Sequence, residues 1–280
     1  MSRRLCLLLG LTCLLALPAA ADDWSRNYTV AGRPEVHVDA NDGHVDVSTG
    51  ATGQVSIRVE TVGWRISDSE VRVSAQQAAD RISLDLRIPS INWSFGGHHS
   101  VRIFLRVPRE ADLHIKTGDG HVKVEPVSGH VEVHTGDGHI TLDGVKGDIR
   151  LSTGDGHITA SSLDGQLDAS TNDGHIDVDG RFEQLNLRTG DGRVVARVRN
   201  GSKNTSIWAI RSGDGSVTVL LPSDFSADLD AHTGDGRVTL DWPVTVSGSL
   251  DRNTVRGRLN GGGSALTIRT GNGSIHVGRL

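Results

Sequence analysis

Aspartate and histidine recur beside glycines along this chain, within a six-residue motif. Residues 135–140 and 153–158 both read TGDGHI. Related motifs begin at residues 117, 171, 189, 212, 233 and 270, and a shorter NDGHV occupies residues 41–45. Carboxylates and imidazoles can act as general acids and bases, and both can bind metal ions. The motif could therefore mark a repeated chemical site, or it could be a repeated structural corner.

The spacing of the motif indicates a repeated structural unit. Consecutive motif aspartates are equally spaced from Asp119 to Asp191, and the later motifs follow at longer and unequal steps, at Asp214, Asp235 and Asn272. A fixed period of this kind is typical of architectures in which one unit stacks on the next. The 35 glycines and the 4% of aromatic residues agree with an all-β chain that has many turns.

Each unit contains two short strands and two corners. Leu113, Ile115 and Thr117 alternate with polar residues before the motif, and Val122 and Val124 do so after it. Such strands could form an antiparallel meander with Asp-Gly hairpin turns. They could instead form a parallel β-solenoid with about 18 residues per rung. The constant unit length favours the solenoid, because register in a stack depends on it, and the crossover rule favours a right-handed one.

The motif residues have a structural interpretation. We expect the aspartate to accept backbone N–H bonds in the corner, the glycines to supply positive φ, and the threonine hydroxyl to bond the same corner from inside. The predicted structural corner residues are Thr117, Asp119, Thr135, Asp137, Thr153, Asp155, Asp173 and Asp191. The stacked carboxylates could instead bind calcium, although calcium-binding β-rolls use a nonapeptide with a different spacing.

The position after the second glycine forms a second column. It holds His44, His121, His139, His157, His175, Arg193, Ser216, Arg237 and Ser274. Arginine does not replace histidine as a metal ligand or a general base, but it does replace it as a cationic neighbour of aspartate. The pattern therefore predicts counter-charge and corner packing, with no catalytic residue, no cofactor and no metal ion. Zinc or copper bound along the column is the alternative.

The N-terminus predicts export. A short basic start precedes the apolar run of residues 5–17, and small residues at Ala19 and Ala21 fit cleavage after Ala21, so residues 1–21 are predicted to be a signal peptide. Both cysteines, Cys6 and Cys13, lie inside this segment, which leaves no disulfide afterwards. We expect a periplasmic or cell-surface protein without a transmembrane segment after cleavage. The net charge of −5 and the lack of basic runs argue against nucleic acid as a partner.

Two sections are predicted after the signal peptide. Residues 111–280 form the solenoid repeat region, and residues 22–110 form a less regular N-terminal β section that covers its open edge and includes one rung over residues 36–47. A loop rich in aromatic residues interrupts the strands of this section. Exposed aromatic side chains can stack on a sugar or anchor a protein contact. The candidate partner-binding residues of the loop are Trp93, Phe95, His98 and His99.

The repeat motifs also resemble a known family. The TGDGHI motifs, their Gly-x-Ile/Leu-x-Leu/Ala-x-Thr lead-ins and the Arg-Val-Pro junction that ends at Pro108 resemble the bacterial "putative adhesin" envelope proteins, domain-of-unknown-function family 4097, over roughly residues 30–280. The resemblance implies a β-strand-repeat protein exposed in the envelope, with no established enzymatic activity.

These observations predict a secreted, non-catalytic envelope protein that acts as a structural or adhesin-like binding scaffold. Its partner would be an envelope glycan or another protein. A β-helix carbohydrate-active enzyme is one alternative, but such enzymes gather acidic groups on one face, and no such cluster interrupts the repeats. A metal-binding β-solenoid is the other alternative.

Overall fold

All regular structure in the described part of the chain is β-strand. The computed structural model describes residues 21–89, 99–242 and 245–280, so the predicted signal peptide lies outside it except for Ala21. The all-β expectation is confirmed, and no helix in these ranges is long and apolar enough to cross a membrane. The strands are β1 Ala21–Thr29, β2 Glu35–Ala40, β3 His44–Thr49, β4 Gln54–Val62, β5 Arg72–Ala78, β6 Arg81–Arg87, β7 Ser100–Val107, β8 Asp112–Thr117, β9 Val122–Val124, β10 Ser128–Thr135, β11 Ile140–Asp143, β12 Lys146–Thr153, β13 Ile158–Thr171, β14 Ile176–Asp191, β15 Val194–Val198, β16 Trp208–Asp214, β17 Val217–Leu221, β18 Ala227–Asp235, β19 Val238–Leu240, β20 Thr245–Asp251, β21 Thr254–Leu259, β22 Ala265–Asn272 and β23 Ile275–Arg279.

The repeated strands pair in parallel with their copies in the next unit. Val131 of β10 lies opposite Leu113 of β8 on one side and Ile149 of β12 on the other, so the register advances by one unit at each step. The strands after the motif pair in the same way, with Ile140 opposite Val122 and Ile158. We call one strand before a motif corner, together with the strand after it, a rung.

Strands of mixed orientation close both ends of the stack. At the N-terminal end, β1 pairs antiparallel with β4, β4 with β7, and β5 with β6. At the other end, β21 pairs antiparallel with β18 and with β20. An edge strand presents unpaired N–H and C=O groups to other chains, and such flanking strands cover it.

The rung formed by β2 and β3 lies inside the stack and not at its end. Val36 lies opposite Leu113, and Val45 lies opposite Val122, so this rung pairs directly with β8 and β9. Its other side pairs in parallel with β6 and β7. Strand pairing therefore continues across residue 110, and the division into two sections at that residue stays a prediction.

The order of rungs at the C-terminal end differs from the order of the chain. In the sequence, the motif at Asn272 follows the motif at Asp235. The expectation that the rungs stack in this same order is wrong. Strand β22 pairs in parallel with both β16 and β18, so Asn272 lies between Asp214 and Asp235. The hairpin β20–β21 occupies the outer side of β18, and the chain then returns to insert its last rung.

One continuous apolar core runs through the rungs. Valine, isoleucine and leucine at alternate positions are buried, as in β15, where Val194, Ala196 and Val198 face inward. Where the units are longer than the regular repeat, aromatic rings fill the added space. Trp208 is fully buried, with the ring of Phe182 edge-on at 6.4 Å and the ring of Phe225 at 5.1 Å.

Adjacent rungs approach each other closely at the second glycine of the TGDGHI motifs. A Cβ built on Gly138 would lie 2.0 Å from the carbonyl oxygen of Gly120, and one on Gly156 would lie 2.0 Å from that of Gly138. The first glycine has more room, because a Cβ on Gly136 would lie 3.1 Å from the oxygen of Gly118. In this motif the rung beneath leaves much less room for a side chain at the second glycine than at the first, and neither glycine has the positive φ expected from the sequence.

Alanine substitutions within one motif test this asymmetry. We expect Gly138→Ala to lower the free energy of unfolding by more than about 3 kcal/mol, because the backbone must move to admit the methyl group. The matched Gly136→Ala change should cost about 1 kcal/mol, since its neighbour must shift by only a few tenths of an ångström. Urea unfolding measures both values, and equal losses would contradict the steric explanation.

Candidate functional site

The motif threonines close the corners from inside. Thr135 Oγ1 lies 2.7 Å from Gly118 O and 3.1 Å from Gly120 O, and Thr153 Oγ1 lies 3.1 Å and 2.9 Å from the matching oxygens, those of Gly136 and Gly138. Each hydroxyl thus donates to the corner of the preceding rung. The inward-facing threonine or serine of the motif is buried at residues 117, 135, 153, 171, 189, 212, 233 and 270.

The motif aspartates do not play the expected part. In the described ranges, the carboxylates of five of them accept no hydrogen bond, and all five side chains are exposed: Asp119, Asp137, Asp155, Asp173 and Asp191. The predicted acceptance of corner N–H groups is therefore wrong for these residues, and it holds for Asp42, which accepts from Gly43 N at 2.5 Å. The corner amides already have partners, since Gly154 N donates to Gly136 O at 2.5 Å.

The motif histidines form a stacked column. Ring centroids lie 5.0 Å apart between His44 and His121, and 4.8 to 4.9 Å apart through His139, His157 and His175. In each step the backbone N–H of the next rung donates to Nδ1 of the histidine before it, at 3.0 to 3.1 Å. A ring that accepts at Nδ1 carries its proton on Nε2 and is neutral.

The electrostatics at His139, in the middle of the column, agree with a neutral ring. Burial lowers the pKa of His139, and the neighbouring His121 and His157 lower it further. Among the described residues, none of the five column histidines forms an ion pair with a motif aspartate. The counter-charge interpretation of this position is therefore wrong: its histidines are held by backbone amides and by one another. No three metal-ligating groups converge on the column within the described ranges.

The candidate partner-binding loop is described only at its end. Trp93, Phe95 and His98 lie outside the described residues, and His99 lies inside them. The ring of His99 is 4.6 Å from that of Trp64, at a tilt of 49°. The structure thus joins one predicted loop residue to a half-buried tryptophan of the N-terminal section.

A groove with a volume of about 660 Å³ crosses the outer face of the N-terminal rungs. Its sides are the outward residues of five strands, β5, β6, β2, β8 and β10. We call it the N-terminal groove, and the polar residues that line it are His37, Asp39, Ser74, Gln76, Ser83, Asp85, His114, Lys116, Glu132 and His134. Parallel pairing of β2 with both β6 and β8 brings these side chains to one surface.

Three ionisable side chains meet at the end of this groove. His37 and His114 lie opposite each other in the β2–β8 pair, and their rings stack at 4.5 Å. Glu35 Oε1 lies 2.7 Å from His37 Nε2, and the bond from His37, followed by that from Arg81, lowers the pKa of the Glu35 carboxyl. Sequence reasoning misses this cluster, because the two histidines lie far apart along the chain. Aligning residues 35–47 with 112–124 would have placed them at the same position of the unit.

Comparisons with known proteins support the family and the fold. The model of the Toastrack DUF4097 family matches residues 34–278, which is most of the chain. No curated protein matches the chain.

Solved structures similar to the chain include proteins from two bacterial genera. A "putative lipid binding protein" from Parabacteroides distasonis is 15% identical with a TM-score of 0.51, and the match covers 93% of this chain and 98% of that one. A "putative adhesin" from Bacteroides fragilis is 10% identical with a TM-score of 0.45, over 94% of this chain and 100% of that one. At 15% identity, the similarity to the first structure supports the fold and not a function. The similarity to the second is too low to support either.

The structure predicts different roles for two residues of one motif. Thr153→Val should lower the free energy of unfolding by about 1 to 2 kcal/mol, because it leaves buried carbonyl oxygens without their hydroxyl donor. Asp155→Ala should change it by less than about 0.5 kcal/mol, since the carboxylate is exposed and accepts no hydrogen bond. Thermal or urea unfolding compares the two, and a larger loss for Asp155→Ala would restore its role as a corner cap.

The histidine column predicts a loss of stability in mild acid. The folded pKa of His139 lies below its ordinary value of 6.5. Between those two pKa values the unfolded chain binds more protons than the folded chain, so the free energy of unfolding falls as the pH drops through that window. Above the ordinary pKa of 6.5 the stabilising contribution of the neutral His139 ring is fully present. His139→Gln removes this proton uptake, so its stability should fall less than that of the wild type between about pH 7.5 and 5. His134→Gln, in the same rung but outside the column, is the control. If the free energy of unfolding of His139→Gln changed with pH as steeply as that of the wild type, the prediction would be contradicted.

Proposed function

We propose that this chain, which belongs to the Toastrack DUF4097 family, is an exported, non-catalytic protein of the cell envelope that serves as a binding scaffold. The predicted signal peptide supports export. The parallel, in-register pairing of successive units supports a β-solenoid as its architecture. The observation that carries the proposal is the N-terminal groove, where the outward side chains of five strands meet without a motif corner among them.

The chemistry of the groove favours binding over catalysis. A glycoside hydrolase needs one carboxyl group that holds its proton and a second that attacks or activates water. In the groove, Asp39 and Asp85 are both paired with Arg87, at 2.8 Å and 2.5 Å. Each of these carboxylates accepts a hydrogen bond from the guanidinium, so the bonded oxygen cannot act as the proton donor of a general acid. The motif carboxylates recur on most rungs and so do not define one active centre.

The groove matches a ligand that is rich in hydroxyl groups. It offers the amide of Gln76, the carboxylate of Asp85, the ammonium group of Lys116 and the imidazoles of His37 and His114. These groups provide both donors and acceptors within one concave surface, as the recognition of sugar hydroxyls requires. We therefore assign the groove to an envelope glycan.

A binding screen with matched variants tests the proposal. The purified protein is screened against immobilised envelope glycans and against extracted envelope proteins. We expect a glycan to bind, and the double variant Gln76→Ala, Asp85→Ala to weaken that binding at least about tenfold, since it removes two polar contacts. The control is Gln166→Ala, Asp168→Ala, which changes the same residue types at similar exposure on β13, outside the groove, and should bind like the wild type.

Three results would contradict the proposal. One is the absence of any bound glycan, and another is an equal loss of binding in the two double variants. The third is turnover of a bound glycan, measured as new reducing ends, because it would support a carbohydrate-active enzyme.

A further inference from the structure

We propose that Glu35, His37 and His114 form a site for a divalent transition-metal ion, with zinc as the reference ion. This goes beyond the binding scaffold and needs no glycan. Each residue offers one ligand atom, and the three atoms lie within 4.8 Å of one another. Two imidazole nitrogens and one carboxylate oxygen are a ligand set that zinc adopts, with a further position left open for water or a groove ligand.

The distances bracket those that a bound ion requires. Glu35 Oε1 is 2.7 Å from His37 Nε2 and 3.9 Å from His114 Nε2. Ligand atoms about 2.1 Å from a tetrahedral ion lie about 3.4 Å from each other. The 2.7 Å contact must open by about 0.7 Å and the 3.9 Å contact must close by about 0.5 Å. His37 must give up the Nε2 proton that it now donates to Glu35 and keep its proton on Nδ1. The two rings must also turn out of their present stack so that both Nε2 lone pairs point to the ion.

Neighbouring groups already orient two of the ligands. His114 Nδ1 lies 3.2 Å from Glu132 Oε2, so its N–H donates to that carboxylate and Nε2 is left with a free lone pair. A carboxylate behind a histidine ligand is the usual support of a metal-bound imidazole. Arg81 holds the carboxylate of Glu35 in place, with Nε at 3.0 Å and Nη2 at 2.8 Å from Oε2 and Nη2 also at 2.7 Å from Oε1. A bound ion must replace this Nη2 contact at Oε1.

Two other histidine clusters in the described chain are poorer candidates. His114, His130 and Glu132 also lie close together, but Asp148 occupies Nδ1 of His130 at 3.2 Å and Arg150 contacts its Nε2 at 3.3 Å. In the histidine column, each Nδ1 accepts a backbone N–H, and no carboxylate completes a set of three. These two clusters provide controls within the same molecule.

Zinc titration of the metal-free protein, without a histidine tag, tests the site. Isothermal titration calorimetry should show one zinc ion per chain. His37→Gln and His114→Gln should each weaken binding at least about tenfold, because each removes a ligand. His157→Gln, a column histidine, should leave the affinity within about twofold of the wild type, as expected for a residue that binds no metal. Circular dichroism checks that all variants keep the fold.

Cobalt(II) provides a second measurement on the wild type. It should take the same site and give the intense visible absorption of a four-coordinate ion, which His37→Gln should abolish. The proposal is overturned if zinc binds without saturation, if His157→Gln weakens binding as much as His37→Gln, or if His130→Gln weakens it while His37→Gln does not. Zinc binding and glycan binding are measured separately, so the failure of one leaves the other standing.

Discussion

The close approach of the backbones of adjacent rungs is the constraint that sets the register of the stack. At the second glycine of the motif, the carbonyl group of the preceding rung fills the space that a Cβ would need, at 2.0 Å for Gly156. The buried hydroxyl of Thr153 bonds the same carbonyl at 2.9 Å. A slip of one residue would place a side chain against this oxygen and turn the threonine outward. The corner therefore fixes the register, and the register decides which side chains stand in each column.

Because the register is fixed, identical ionisable side chains stand above one another and could repel. The aspartate column and the histidine column reduce this repulsion in different ways. The aspartates lie in water, where repulsion between unit charges one strand spacing apart is about 1 kcal/mol or less. Each column histidine accepts a main-chain N–H at Nδ1, as His139 does from His157. This bond removes the charge instead of screening it. A column of identical residues is thus compatible with the stack only where water or the backbone supplies a partner.

The periodicity of the sequence predicted the strands within each unit, but it did not predict which units pair with each other. The alternation around Thr117 and the regular period of the motif sufficed for the all-β class and for the inward threonines. They could not place β22 between β16 and β18, because every rung presents the same backbone edge and parallel pairing does not require neighbours in the chain. The contact between His37 and His114 was not predicted from the sequence for the same reason. The role of the aspartates was misjudged because the sequence does not show that backbone carbonyls already satisfy the corner amides.

The same constraint indicates where this fold can carry individual chemistry. Inward positions must fill a continuous core, and corner positions must admit the next rung, so neither can change freely. Outward positions on the strands face water and vary from rung to rung. One such position, followed along the stack, holds His37, His114, Glu132, Arg150, Asp168 and Asn186. The pairing that makes the corners alike thus brings unlike side chains together on the outer face, and the N-terminal groove lies where the ionisable ones meet.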